Sequence, residues 1–69
     1  MKLSARNILA GKVKRIVEGS VNDEVTVELP GGTEIVSIIT KSSAEALGLK
    51  VGSEVFAIVK ASNVLLGTP

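Results

Sequence analysis

Glu24-Val25-Thr26-Val27-Glu28-Leu29-Pro30-Gly31-Gly32-Thr33-Glu34-Ile35-Val36-Ser37-Ile38-Ile39 is the stretch that decides the fold. Val25, Val27 and Leu29 alternate with Thr26 and Glu28, which is the two-residue period of a half-buried strand. Pro30 fixes φ where a turn needs it fixed, and the glycines after it accept positive φ, so Leu29 to Gly32 is predicted to reverse the chain. The return strand, Glu34 to Ile39, is apolar on both faces through Ile35, Val36, Ile38 and Ile39. Val55 to Val59 reads the same way. An antiparallel sheet in so short a chain usually keeps one face in water, so strands apolar on both sides need additional cover. A partner subunit is the simplest cover.

Outward from this hairpin the chain reads as further short strands and one small helix. Asn7 to Glu18 forms a first strand, bent at Gly11, and Gly19 to Asp23 carries turn residues. Ser42 precedes Glu45 by three residues, a capping-box spacing that makes Ser42 the expected helix cap, and Gly48 stands where a left-handed C-terminal residue belongs. Val51-Gly52-Ser53 turns the chain into a strand from Glu54 to Lys60. Asn63 to Leu66 supplies a last short strand before the loose Gly67-Thr68-Pro69 tail. The expected architecture is all-β: a five-stranded OB-like barrel with one short helix between strands 3 and 4, residues 1–69 forming a single domain.

Composition restricts the chemistry. The 69 residues contain no His, Cys, Trp or Tyr and only one Asp. Disulfides and the usual His/Cys zinc sites are excluded, and no general base has a partner, so the chain reads as a binding protein and not an enzyme. What remains is donors: eight Lys or Arg, seven Ser, four Thr and the backbone amides. A deprotonated oxyanion offers only acceptors, and such donors suit it. A chain this short buries only about 60% of its unfolded surface and is marginal unless ligand binding or self-association adds stability. The formal charge of +1 gives no sustained field toward nucleic acid or acidic lipid. The N-terminus Met1-Lys2-Leu3-Ser4-Ala5-Arg6 lacks an apolar signal segment and no run is long enough to span a membrane, so a cytoplasmic location is expected.

The donors cluster at three places: Ser4-Ala5-Arg6-Asn7 before the first strand, Thr40-Lys41-Ser42-Ser43 at the helix entry, and Lys60-Ala61 at the end of the fourth strand. With Gly11-Lys12-Val13 and the stretch from Gly48 to Val55, this pattern resembles the molbindins from Leu3 to Leu66. That family comprises small molybdate-binding proteins, once described as molybdenum-pterin-binding proteins, whose module is also appended to regulators and transporter ATPases.

The resemblance implies an OB-like subunit assembling into a hexamer that holds molybdate, and often tungstate, between subunits. It implies oxyanion ligands at Ser4, Arg6, Thr40, Ser43 and Lys60, with the backbone N–H of Ala61. Some relatives carry Ser at that last position, so this chain loses one hydroxyl there. A second class of site in the family corresponds to the turn of Gly19, Ser20 and Val21.

The residues support the same reading independently. Molybdate near neutral pH is a tetrahedral dianion with no proton to give, so it needs fixed cations, neutral donors and no adjacent carboxylate. Arg6 presents a fork of donors, Lys60 a compact charge, and Thr40 and Ser43 lie at a helix entry. Blander roles compete at each position. Arg6 and Lys60 also serve as solvated or edge-blocking charges, and Thr40 and Ser43 as polar loop residues. Lys12, Lys14 and Arg15 lie close to Glu18, Asp23 and Glu24, which makes a solvated face the better reading than a phosphate patch. Asn7 is expected to hydrogen-bond backbone at the strand entry.

The main alternative is a single-stranded nucleic-acid-binding OB module. Such modules need aromatic platforms for base stacking, and this chain has only Phe56. A pure oligomerisation or effector-sensing module is the third class.

Overall fold

The computed structural model describes residues 1–69. Its elements in chain order are β1 (Asn7–Glu18), β2 (Asn22–Glu28), β3 (Glu34–Thr40), α1 (Lys41–Ala46) and β4 (Glu54–Val59), followed by a 3-10 turn at Ala61–Asn63. The strands form one antiparallel sheet in the order β3-β2-β1-β4.

The hairpin forms where the turn chemistry placed it. The Gly32 N–H donates to the Leu29 carbonyl at 3.0 Å, and Gly31 and Gly32 both take φ +93. β2 and β3 then pair from Glu28↔Glu34 to Asn22↔Thr40. The turn from Lys50 to Ser53 repeats the device, with Gly52 at φ +95 and the Ser53 N–H on the Lys50 carbonyl at 2.9 Å. Both reversals require a left-handed backbone that side chains with a Cβ adopt at a cost.

β1 is twice as long as β4 and serves two neighbours. Asn7 to Lys12 pairs with β4, and Lys12 to Glu18 pairs with β2. Gly11 sits at this handover. A Cβ there would lie 2.7 Å from the Glu28 carbonyl oxygen and from a Val27 methyl, so the crossing needs a residue without one. Beyond it the register slips at Lys14, giving a bulge between Val13 and Arg15. The extra residue shifts the parity of the strand, so Val13 and Ile16, three apart, lie on the same face opposite Val27 and Val25. Val13, Val25 and Val27 are the core, with Ile16, Leu29, Ile35, Ile39, Leu49 and Val55 packed around them.

α1 starts at the residue after β3, and its cap is Thr40, not Ser42. Thr40 is extended (φ −67, ψ 150), and its hydroxyl oxygen accepts from the Ser43 N–H. Ser42 lies inside the helix as its second residue. The reason is that β3 runs through Thr40, so the chain is still extended one residue before the helix, which is where a cap must sit. The C-terminus follows expectation: Gly48 takes φ +64, its N–H donates to the Glu45 carbonyl, and the Leu49 N–H donates to the Ala44 carbonyl.

The expected fifth strand is absent. Lys60 leads into the 3-10 turn, and beyond it Val64 is extended (φ −91, ψ 117) without pairing to any strand. Leu65 and Leu66 are 92% and 95% exposed. A strand exists only with a ladder partner, and this segment has none in its own chain. The sheet is consequently a half-barrel. The outer edges of β3 and β4 are unpaired, and between them runs an apolar trough of about 290 Å³ lined by Val25, Ile35, Ile39, Leu49, Phe56 and Val59, among others. Only six residues are buried, while Val36, Ile38, Phe56 and Ile58 are exposed. So small a core leaves many large apolar side chains of this chain in water, where they favour association.

Candidate functional site

The pairing of β1 with β4 decides which donors meet. Asn7 pairs with Val59, so the residues just before β1 and just after β4 lie side by side. The Asn7 side-chain amide ties the two together by donating to the Val59 carbonyl at 3.2 Å, the backbone role expected of it. Around this junction lies an open depression of about 650 Å³ lined by Ser4, Ala5, Arg6, Ile58, Lys60, Ala61, Ser62 and Asn63.

Four of the six expected primary ligands, Ser4, Arg6, Lys60 and Ala61, are therefore brought together. The depression has two cations and no carboxylate in its lining. Neither Arg6 nor Lys60 forms an ion pair, whereas Lys14, Arg15 and Lys41 all do. Two unneutralised cations beside hydroxyls and amides form an electropositive cup suited to an anion. The Ala61 N–H opens the 3-10 turn and belongs to the donors that a helix start leaves without an intrahelical partner. Ser62 and Asn63 also line the depression, and their side chains make no hydrogen bond within the chain. Sequence reasoning missed both. The available signal was their position directly after Lys60.

Thr40 and Ser43 lie elsewhere. Thr40 pairs with Asn22 at the start of β2, beside the end of β1, while Arg6 precedes its beginning. A 12-residue strand separates the two groups. At 3.3 Å per residue that is roughly 35 Å if straight and on the order of 25–30 Å with the bend. One small oxyanion cannot touch both sets in one chain. At their own end, the Thr40 hydroxyl donates to Ser43 Oγ at 2.7 Å while accepting from the Ser43 N–H at 3.1 Å. Ser42 Oγ lies 3.3 Å from the same oxygen. The Thr40 proton is thus spent internally, leaving the Ser43 hydroxyl as the free donor of the pair, polarised by the bond it accepts.

The turn at Gly19, Ser20 and Val21 has mixed character. The N–H groups of Ser20 and Val21 donate to nothing within the chain. The Gly19 N–H is engaged by the Asn22 carbonyl and by Asp23 Oδ1. Glu18 and Asp23 stand on either side of the turn, with Lys41 Nζ 3.9 and 3.7 Å from their carboxylates.

The basic stretch of β1 is the solvated face expected, but Lys14 and Arg15 pair with Glu28 and Glu34 of the neighbouring hairpin and not with Glu18, Asp23 or Glu24. Lys14 Nζ lies 2.6 Å from Glu34 and 3.4 Å from Glu28, and Arg15 lies 3.7 Å from Glu34. Hydrogen bonding to Glu34 first, and then to Glu28, raises the Lys14 pKa above its ordinary value; the reciprocal bond from Lys14 lowers that of Glu34. The chain has no group of three or more His, Cys, Asp or Glu able to hold a metal cation, and no helix long and apolar enough to cross a membrane.

The family model that matches this chain is the TOBE domain, over residues 3–66. Molybdenum-pterin-binding protein 2 of Clostridium pasteurianum is 47% identical over 66 residues, covering 96% of this chain and 97% of that protein. The chain belongs to the TOBE-domain family. This TOBE domain is also 52% identical over 68 residues to the molybdenum transport protein ModE of Azotobacter vinelandii, of whose length it spans only 25%. Among solved structures it is similar to the cytoplasmic molybdate-binding protein ModG in its molybdate-bound form, with a TM-score of 0.96 and 58% identity. That match covers all of this TOBE domain and 49% of the ModG chain. The resemblance to molbindins drawn from Ser4-Ala5-Arg6-Asn7 and Lys60 thus agrees with relatives named for molybdenum.

Proposed function

We propose that this chain binds molybdate, and the isostructural tungstate, as an intact oxyanion, storing or buffering it in the cytoplasm without transforming it. The anion sits between copies of a homo-oligomer, a hexamer in this reading. One copy supplies Ser4, Arg6, Lys60 and the Ala61 N–H, and the neighbouring copy supplies Thr40 and Ser43. Neither nucleic acid nor membrane has a part in the proposal.

The observation that carries this reading is the separation of two complementary half-sites at opposite ends of β1. The first half has the charge but lies open to solvent. The second has a polarised hydroxyl and no cation in its own hydrogen-bonded cluster. Docking one against the other closes the cup with donors alone, as a dianion requires. The exposed apolar strands and the unpaired edges of β3 and β4 favour self-association independently, and the extended Val64-Leu65-Leu66 of a second copy is chemically suited to the trough. Relatives named for molybdenum-pterin binding and for molybdate binding have molybdenum in common, which supports an oxyanion of that element as the ligand.

In the same proposal the free N–H groups of Ser20 and Val21, with Gly19, offer a second and weaker anion site. The carboxylates of Glu18 and Asp23 oppose it.

Equilibrium dialysis against molybdate with sulfate as competitor, followed by native mass spectrometry, tests the proposal. The expected result is an oligomer retaining molybdate at micromolar concentration in excess sulfate. A monomer that ignores the anion would overturn it.

A further inference from the structure

Asp23 is the one buried carboxylate of the chain, 3% exposed, and nothing in the binding site as described uses it. It occupies the inward-facing row of β2, in phase with Val25 and Val27, and pairs across the sheet with Ile39. At such a position an apolar side chain would pack without the desolvation that a carboxylate incurs. The carboxylate is retained by two partners. The Gly19 N–H donates to its Oδ1 at 3.3 Å, and Lys41 Nζ lies 3.7 Å from the same oxygen.

Lys41 is the first residue of α1, adjacent to Thr40. Its backbone N–H donates to the Val21 carbonyl at 2.8 Å, and its ammonium donates to the Gly19 carbonyl at 3.4 Å and lies 3.9 Å from Glu18. The entry of α1 is therefore fastened to the β1–β2 turn by one backbone bond and by a lysine whose ammonium meets a buried carboxylate, an exposed one and a carbonyl. Together with β3 and the buried Ala44 of α1, this fixes the direction in which Thr40 and Ser43 point, because a six-residue helix has little stability of its own. A buried ionic contact contributes little to net stability and is better suited to fixing geometry.

We infer that the Lys41–Asp23 contact is a positioning clamp for the Thr40–Ser43 donor pair, holding the Ser43 hydroxyl at the angle at which a neighbouring copy's oxyanion meets it. The inference rests on the molybdate reading above. Lys41 and Asp23 are positioning residues that need not touch the ligand.

The test measures molybdate affinity by calorimetry on the full chain, with oligomer mass followed in parallel. Lys41→Met should weaken molybdate binding by about tenfold with the oligomer intact, and Lys41→Arg should restore most of the loss. The deciding measurement repeats Lys41→Met in a Thr40→Val/Ser43→Ala background. If the lysine acts only through those hydroxyls, it has no further effect there, whereas a general electrostatic or structural contribution persists. Asp23→Asn, which keeps an acceptor for the Gly19 N–H but removes the charge, should behave like Lys41→Met. If Lys41→Met binds as tightly as the native chain, or loses the same factor with and without the two hydroxyls, the clamp is refuted while the molybdate reading stands. If the native chain does not bind molybdate, both fall together.

Discussion

Arg6→Ala is the perturbation whose size can be worked out most fully. Arg6 is one of two cations lining the depression at the β1–β4 junction, where no carboxylate lies in the lining and no ion pair engages it. At an effective dielectric near 20, unit charges 4 Å apart interact by about 4 kcal/mol, and a dianion doubles that before desolvation is subtracted. Arg6 is exposed in the isolated chain, so most of this gross attraction is lost to screening, and mutational losses are a better guide. Removing a hydrogen bond to a charged group costs about 1.5–3 kcal/mol, and a guanidinium offers two donors in parallel. The expected loss is therefore about 3–4 kcal/mol, or roughly 150- to 1,000-fold in Kd. Arg6→Lys, which keeps the charge and loses the fork, should cost about tenfold. Calorimetry with molybdate at fixed ionic strength measures both, and light scattering checks that the oligomer persists. An Arg6→Ala protein that assembles normally and binds molybdate within about threefold of the native affinity would refute the assignment of this depression as the charged half of the site.

Other perturbations test the frame that holds the site. Gly11→Ala should destabilise by about 2–3 kcal/mol in urea unfolding, because its Cβ would meet the Glu28 carbonyl at 2.7 Å; Gly31→Ala, where φ is +93 but the space is open, should cost only about 1–2 kcal/mol. Both comparisons need one protomer concentration, since assembly contributes to the apparent stability. Glu34→Gln should show a pH-dependent penalty. Lys14 holds the Glu34 pKa below its ordinary value, so this stabilisation is present above the unfolded value of about 4.3 and disappears as pH falls through the folded value. The gap between native and variant, largest near neutrality, should close in acid and shrink with added salt, and a gap that widened in acid would contradict the pairing. Thr40→Ser should preserve both cap and affinity, whereas Thr40→Val, which removes the acceptor for the Ser43 N–H, should cost about 1 kcal/mol in thermal unfolding as well as weakening binding.

The parts of this fold written in local chemistry could be read from the chain. Pro30-Gly31-Gly32 and Gly48 announce backbone conformations that neighbouring residues cannot override, and the alternation of Val25, Val27 and Leu29 fixes which face of β2 turns inward. The cap was misread because Ser42-x-x-Glu45 is a good capping signature in isolation. Where a helix begins depends on where the preceding strand lets go, and β3 persists through Thr40. The fifth strand failed for a different reason. Val64, Leu65 and Leu66 have strand composition, but pairing is a property of two segments, and this one lies along neither unpaired edge of its own sheet. Arg6 and Lys60 were singled out through the resemblance to molbindins, and the pairing of Asn7 with Val59 brings them to the lining of one depression. The Lys41–Asp23 contact was not legible, although an Asp in phase with two core valines is a signal that it needs a partner.

The central claim is that each oxyanion site is assembled from two copies. Mixing two weakened variants tests it most directly: Arg6→Ala chains and Thr40→Val/Ser43→Ala chains, unfolded together and refolded in equal amounts, with molybdate then counted by native mass spectrometry at a concentration that loads native sites but neither variant alone. If the half-sites come from different copies, random assembly joins an intact Arg6 half to an intact Ser43 half at about a quarter of the positions, and those positions regain native affinity. If each site belonged to one chain, every chain would still carry its own defect, and the mixture would bind no more molybdate than the two variants measured apart.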